Sequence, residues 1–127
     1  MSQNLAYSAS PRAYREGAIL SAPPERFVVM LYDGARRFLH QAAAAMRAGQ
    51  TELMHNKLRR AEDIIVYLKD TLDLEQGGEI AARLQAIYLF CGQHLRQARF
   101  DRDPAKIEQV SKLLGQLREA WAAIEAQ

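Results

Sequence analysis

Cysteine is nearly absent from this chain of 127 residues. Cys91 stands alone, so no internal disulfide framework is available, and the composition fits a reducing cytosol. An excess of either sign of charge is also lacking. A formal net charge of +2 is too small to argue for nucleic acid or an anionic membrane, and the basic residues interleave with acids as on solvated helix faces. Lys57, Arg59 and Arg60 cluster, but Glu62 and Asp63 follow at once, which breaks any nucleic-acid stripe. No stretch approaches the roughly 20 apolar residues that span a bilayer, and the first residues lack the apolar run of a signal peptide. A cytoplasmic protein without stable membrane insertion is expected. Also missing are a period-two apolar alternation, a nucleophile with a positioned base, a phosphate-cradling glycine loop and a dinucleotide fingerprint. Neither catalysis nor a cofactor is expected.

Metal chemistry has one weak foothold. Glu52 and His55 form a Glu-x-x-His step, the spacing that sets two ligands on one helical face in di-iron bundles. That chemistry needs two such steps plus a carboxylate from each remaining helix. His40 is preceded at this spacing by Arg37 and His94 by Cys91, so the second copy is missing. A zinc site at Cys91 and His94 would lack further cysteines. Chance spacing is the better account, and no metal site is expected.

What the chain has is helical periodicity. Its length suits one domain, and its 49% hydrophobic and 25% charged content place it with chains that fold alone. Residues 1–20 are expected to form a mobile segment, with residues 21–127 as the folded domain. Pro23 and Pro24 introduce a first helix over about residues 24–48, because proline suits a first turn, and Gly49 suits its left-handed C-terminal cap. Thr51 is positioned to cap a second helix reaching about residue 72. The Gly77–Gly78 pair breaks the chain before a third helix, over about residues 79–100. Asp103 then reads as an N-cap with Pro104 in the first turn of a fourth.

Apolar residues step by fours and threes along these helices. Helix two offers Met54, Leu58, Ala61, Ile65, Leu68 and Leu72. Helix three offers Ile80, Leu84, Ile87, Cys91, Leu95 and Ala98, and helix four Ile107, Val110, Leu114, Leu117, Trp121 and Ile124. Helix one contributes Phe27, Leu31, Gly34 and Phe38, with Gly34 read as a point of close helix approach. Such seams with short connections predict an all-α, antiparallel up-down-up-down four-helix bundle.

The seams do not exhaust the apolar residues. Val28, Val29, Met30 and Tyr32 lie beside the first; Ile64, Val66 and Tyr67 beside the second; Tyr88, Leu89 and Phe90 beside the third. One account is a wider core. The other is a groove that accepts an amphipathic helix from a partner. Ile64, Tyr67, Tyr88 and Leu89 are the candidate groove positions, and Tyr14, Ile19 and Leu20 a candidate N-terminal cover. Spacing alone leaves both accounts open. Asp33, polar within an apolar stretch, reads as an exposed helix residue in preference to one that orients a tyrosine, and Tyr32 as packing.

From Tyr14 onward the sequence resembles the flagellar secretion chaperone FliS family. The resemblance is carried by Met30-Leu31-Tyr32-Asp33-Gly34-Ala35 with Phe38-Leu39. It continues in Ala61-Glu62-Asp63-Ile64-Ile65, Thr71-Leu72-Asp73 and Gly77-Gly78-Glu79-Ile80-Ala81, and in Leu113-Leu114, Leu117-Arg118 and Trp121. Three positions depart from the family pattern: Pro23 replaces the usual serine before Pro24-Glu25, Gly17 stands where asparagine is common, and Arg99 stands where asparagine often follows the alanine.

The resemblance implies a cytosolic chaperone that binds the disordered C-terminal segment of flagellin, prevents premature polymerisation and keeps it competent for type III export. It also implies a link to the flagellar export gate. Homo-oligomerisation stays open. The alternatives are a helical adaptor for another export substrate and, from a different class, a metal-dependent four-helix enzyme.

Overall fold

The computed structural model describes residues 25–125. They form four helices: α1 (Glu25–Arg47), α2 (Thr51–Asp70), α3 (Leu74–Asp101) and α4 (Pro104–Glu125). Ion pairs fix their directions. Arg47 at the end of α1 meets Glu108 near the start of α4 at 2.6 Å, while Asp33 near the start of α1 accepts from Arg118 near the end of α4 at 2.9 Å. Arg99 near the end of α3 likewise reaches His55 near the start of α2. Neighbours are therefore antiparallel, in the expected up-down-up-down order. Helix α1 packs most extensively, on α2 and on α4; α3 closes the square, and α1 and α3 face each other across its diagonal.

The turns follow local chemistry, with two departures from expectation. Gly49 takes φ 73° after α1 as a left-handed cap should. Asp103 Oδ1 accepts from the Ala105 N–H, which makes it the N-terminal cap of α4. Thr51, by contrast, does not cap α2: it is the first helical residue, and Gln50 stands at the cap with no side-chain bond. Helix α3 also starts five residues before the glycine pair is passed, because Asp73 accepts from the Gln76 N–H and nucleates a turn there. Gly78 then breaks the helical path at φ 55°, ψ −132°, so the glycine pair kinks a helix that has already begun.

The seams of α2 and α4 match their spacing: Met54, Leu58, Ala61, Ile65 and Leu68 are buried, as are Ile107, Val110 and Leu114. In α1 the buried stripe lies one residue along from expectation, at Val28, Tyr32, Ala35, Leu39 and Ala42, leaving Phe27 exposed and Leu31 and Phe38 half-buried. Because α1 is wedged between two helices, its buried arc takes in the small residues Ala35 and Ala42 that let both approach. In α3 the seam holds at Cys91, Leu95 and Ala98, but Ile80 is 72% exposed, since the kink at Gly78 changes the direction of the turn that carries it. Each large buried side chain contributes roughly 1.5–3 kcal/mol.

Gly34 is buried, but a Cβ there would meet Ile64 Cδ1 at 3.7 Å, an ordinary contact. The α1–α2 approach therefore does not require glycine. Asp33 keeps a side chain 45% exposed and bonds no tyrosine among the described residues; both its carboxylate oxygens accept from the Arg118 guanidinium, at 2.9 and 3.3 Å, a partner not read from the sequence.

A cleft between α2 and α3

The two middle helices leave a cleft of about 380 Å³ between them. Its floor is Ile65 from α2 and Tyr88 from α3, both buried, and its lips are Val66 and Leu89, 48% and 52% exposed. Each helix turns a second apolar residue sideways, one position past its residue in the floor. Gly92 keeps the α3 wall low, and Arg96 continues along it.

A polar clasp closes one end. Arg99 donates to both oxygens of Glu62, at 2.7 and 2.9 Å, and through Nε to His55 Nδ1 at 3.1 Å. The planar guanidinium fork suits this bidentate geometry, and Glu62 holds the Arg99 charge more firmly than water would. Arginine offers only donors, so His55 Nδ1 carries no proton and the ring proton sits on Nε2. The Glu52–His55 step therefore already has one ring nitrogen committed to a cation. Among the described residues no group of three or more His, Cys, Asp or Glu converges as metal ligands would.

Beneath the floor, the Tyr88 hydroxyl shares a 2.5 Å hydrogen bond with that of Tyr32 on α1. Burial pushes the ionisation of both phenols up, most strongly at Tyr88, where the facing Tyr32 adds to it. Burial likewise pushes the Cys91 thiol up to about 11, leaving it protonated and unreactive at neutral pH.

The structure does not gather the four candidate groove residues into one surface. Leu89 lines the α2–α3 cleft and Tyr88 floors it, 3% exposed. Ile64 and Tyr67 turn the other way, toward α1: Ile64 lies against Gly34, and the Tyr67 ring meets Phe27 edge-on at 6.3 Å. Phe27, Met30 and Tyr67 remain exposed at that end of the bundle. The candidate cover, Tyr14, Ile19 and Leu20, lies outside the described residues. Sequence reasoning counted Val66 among the surplus apolar residues without choosing it, and passed over Gly92 and Arg96. Their signal is the i, i+4 step from Tyr88 through Gly92 to Arg96, which places all three on one side of α3.

The sequence matches the family model described as flagellar protein FliS over residues 6–127. The chain belongs to the FliS family. The flagellar secretion chaperone FliS of Salmonella typhimurium is 38% identical over 110 residues, covering 86% of this chain and 82% of that one. That of Vibrio cholerae is 34% identical over 119 residues, 91% and 88% of the two chains, and that of Campylobacter jejuni 32% over 124 residues, 98% and 94%. This FliS-family chain thus aligns with its relatives over nearly their whole length, and its four-helix bundle is the fold the sequence resemblance implied. No helix among the described residues is long and apolar enough to cross a membrane.

Proposed function

We propose that this chain is a cytoplasmic export chaperone that binds the C-terminal segment of flagellin, holds it unpolymerised and presents it to the flagellar type III export gate. It acts as a binding module, not a catalyst. The observation that carries the reading is the apolar α2–α3 cleft, whose Val66 and Leu89 lips stay exposed although Ile65 and Tyr88 beneath them are buried. A monomer gains nothing by leaving such side chains in water, whereas an amphipathic partner helix laid along the cleft buries them. Phe27, Met30 and Tyr67 offer a second exposed apolar patch on the α1 side, and a segment that orders only on binding needs a large footprint to offset its lost freedom. In this reading residues 1–20, with Tyr14, Ile19 and Leu20, form a cover that competes for the same surface.

The test is calorimetric titration of a peptide of the cognate flagellin C-terminal segment into the full chain, with circular dichroism of the mixture. One-to-one binding with gain of helix is expected. Absence of heat and of helix at micromolar concentrations overturns the proposal. Retention of another export substrate in its place would favour a general helical adaptor.

A further inference from the structure

The cations around the α2–α3 cleft are not equivalent. Arg99 is neutralised through both oxygens of Glu62. Lys69 pairs with Asp70 at 3.1 Å. Arg96 is exposed, and among the described residues no hydrogen bond or ion pair reaches it. Its side chain nonetheless folds back along α3 toward the cleft, since a Cβ built on Gly92 would lie 3.5 Å from Nη1. The guanidinium thus lies over the low part of the wall at Gly92, in the lining that it shares with Val66 and Leu89.

An apolar helix entering this cleft would strip water from Arg96 and leave its charge unpaired, which is costly in a low-dielectric setting. A helix that brings a carboxylate to the same place converts that penalty into a charge-assisted hydrogen bond. Resting on the flagellin reading above, we propose that Arg96 is the specificity-determining cation of the cleft. It pairs with an Asp or Glu on the incoming helix, one turn from the aliphatic residues that settle over Val66 and Leu89. The cleft therefore selects acidic amphipathic segments over merely apolar ones, and the pairing fixes the register of the bound helix, because one charge marks one position along an otherwise uniform apolar track.

The experiment titrates the cognate flagellin C-terminal peptide into the full chain as wild type, Arg96→Gln and Arg83→Gln, at low and high salt. The titration is repeated with a peptide whose acidic residues are replaced by their amides. Arg83 serves as the control because it pairs with Glu79 at 2.7 Å on an exposed face. Since Arg96 is exposed and no described residue pairs with it, its replacement should leave thermal unfolding unchanged. The expected result is an affinity about tenfold lower for Arg96→Gln, with weaker salt dependence, an unaltered Arg83→Gln, and an amide peptide that binds wild type and Arg96→Gln alike. Equal binding of the native peptide by wild type and Arg96→Gln overturns the inference and leaves the flagellin reading standing. Tighter binding by Arg96→Gln also overturns it, assigning the cation to the chain's own N-terminal segment. Failure of the wild type to bind the native peptide overturns both.

Discussion

The hydroxyls of Tyr32 and Tyr88 meet at 2.5 Å in the middle of the bundle, joining two helices that do not pack on each other. Helix α1 reaches α3 only across the diagonal, and two phenol rings fill that distance. Both are buried, at 0% and 3% exposure. The bond gives each buried hydroxyl a partner, and it supports the cleft from below by holding the ring of Tyr88.

Removing one hydroxyl should cost more per group than removing both. Tyr32→Phe leaves the Tyr88 oxygen buried without its partner, at a cost of about 1–3 kcal/mol. Tyr32→Phe with Tyr88→Phe should cost less than the sum of the single changes. Urea unfolding of the three variants measures this, and strict additivity would show that the two hydroxyls do not depend on each other.

Stability should fall at alkaline pH. Tyr32, Tyr88 and Cys91 all hold their protons more tightly when folded, through burial above all. Groups with raised folded values contribute stability fully below their unfolded values, and lose it as pH climbs toward the folded ones. The loss should begin near pH 9, the unfolded value of the thiol, and steepen above 10 as unfolded phenols ionise. The urea midpoint followed from pH 7 to 11 reads it out. The double phenylalanine variant should decline less steeply, and a wild-type midpoint that rises over this range would contradict the assignment.

The clasp at Arg99 should matter more for its shape than for its charge. Glu62 and Arg99 are about a quarter exposed, at 23% and 26%, so the pair lies between surface bridges and fully buried ones. Arg99→Ala should cost roughly 1–2 kcal/mol. Arg99→Lys should recover little of it, because an ammonium cannot bond both carboxylate oxygens and His55 together. Thermal unfolding of the two variants decides; full rescue by lysine would reduce the clasp to a point charge.

Gly34→Ala should stabilise the chain by about 0.5–1 kcal/mol, the ordinary gain from replacing glycine within a helix. The new methyl would meet Ile64 at 3.7 Å without crowding. Gly78→Ala should do the reverse, since φ 55° is unfavourable for a side chain. Denaturant midpoints check both, and a destabilised Gly34→Ala would mean that α1 and α2 tolerate no added atom.

Cleft and cover should separate in binding. Val66→Ala and Leu89→Ala should weaken flagellin-peptide affinity with little effect on the unfolding midpoint, because both side chains are half exposed. Deleting residues 1–20 should raise affinity if that segment competes for the cleft. Calorimetry on the full-length and shortened chains measures both effects; an unchanged or weaker affinity after deletion argues against a competing cover.

Much of this protein was legible in its residues. The fours-and-threes spacing of Met54, Leu58, Ala61, Ile65 and Leu68 dictates one buried face whatever the neighbours are. Gly49 and Asp103 mark their turns through requirements a few residues long. The family resemblance was equally legible, since its motifs run in order along the chain. The lateral arrangement was not. Spacing identifies Ile64, Val66 and Tyr67 as apolar residues beside a seam, but consecutive residues on a helix point about 100° apart, and only the neighbours decide what each one meets. Tertiary structure sent Ile64 and Tyr67 toward α1 and Val66 toward α3, put Tyr88 beneath the cleft instead of on its rim, and gave Asp33 an arginine from 85 positions along the chain. Periodicity sets how much of each helix must be buried; which helix covers which side, and where a gap remains, depends on contacts between residues remote in sequence.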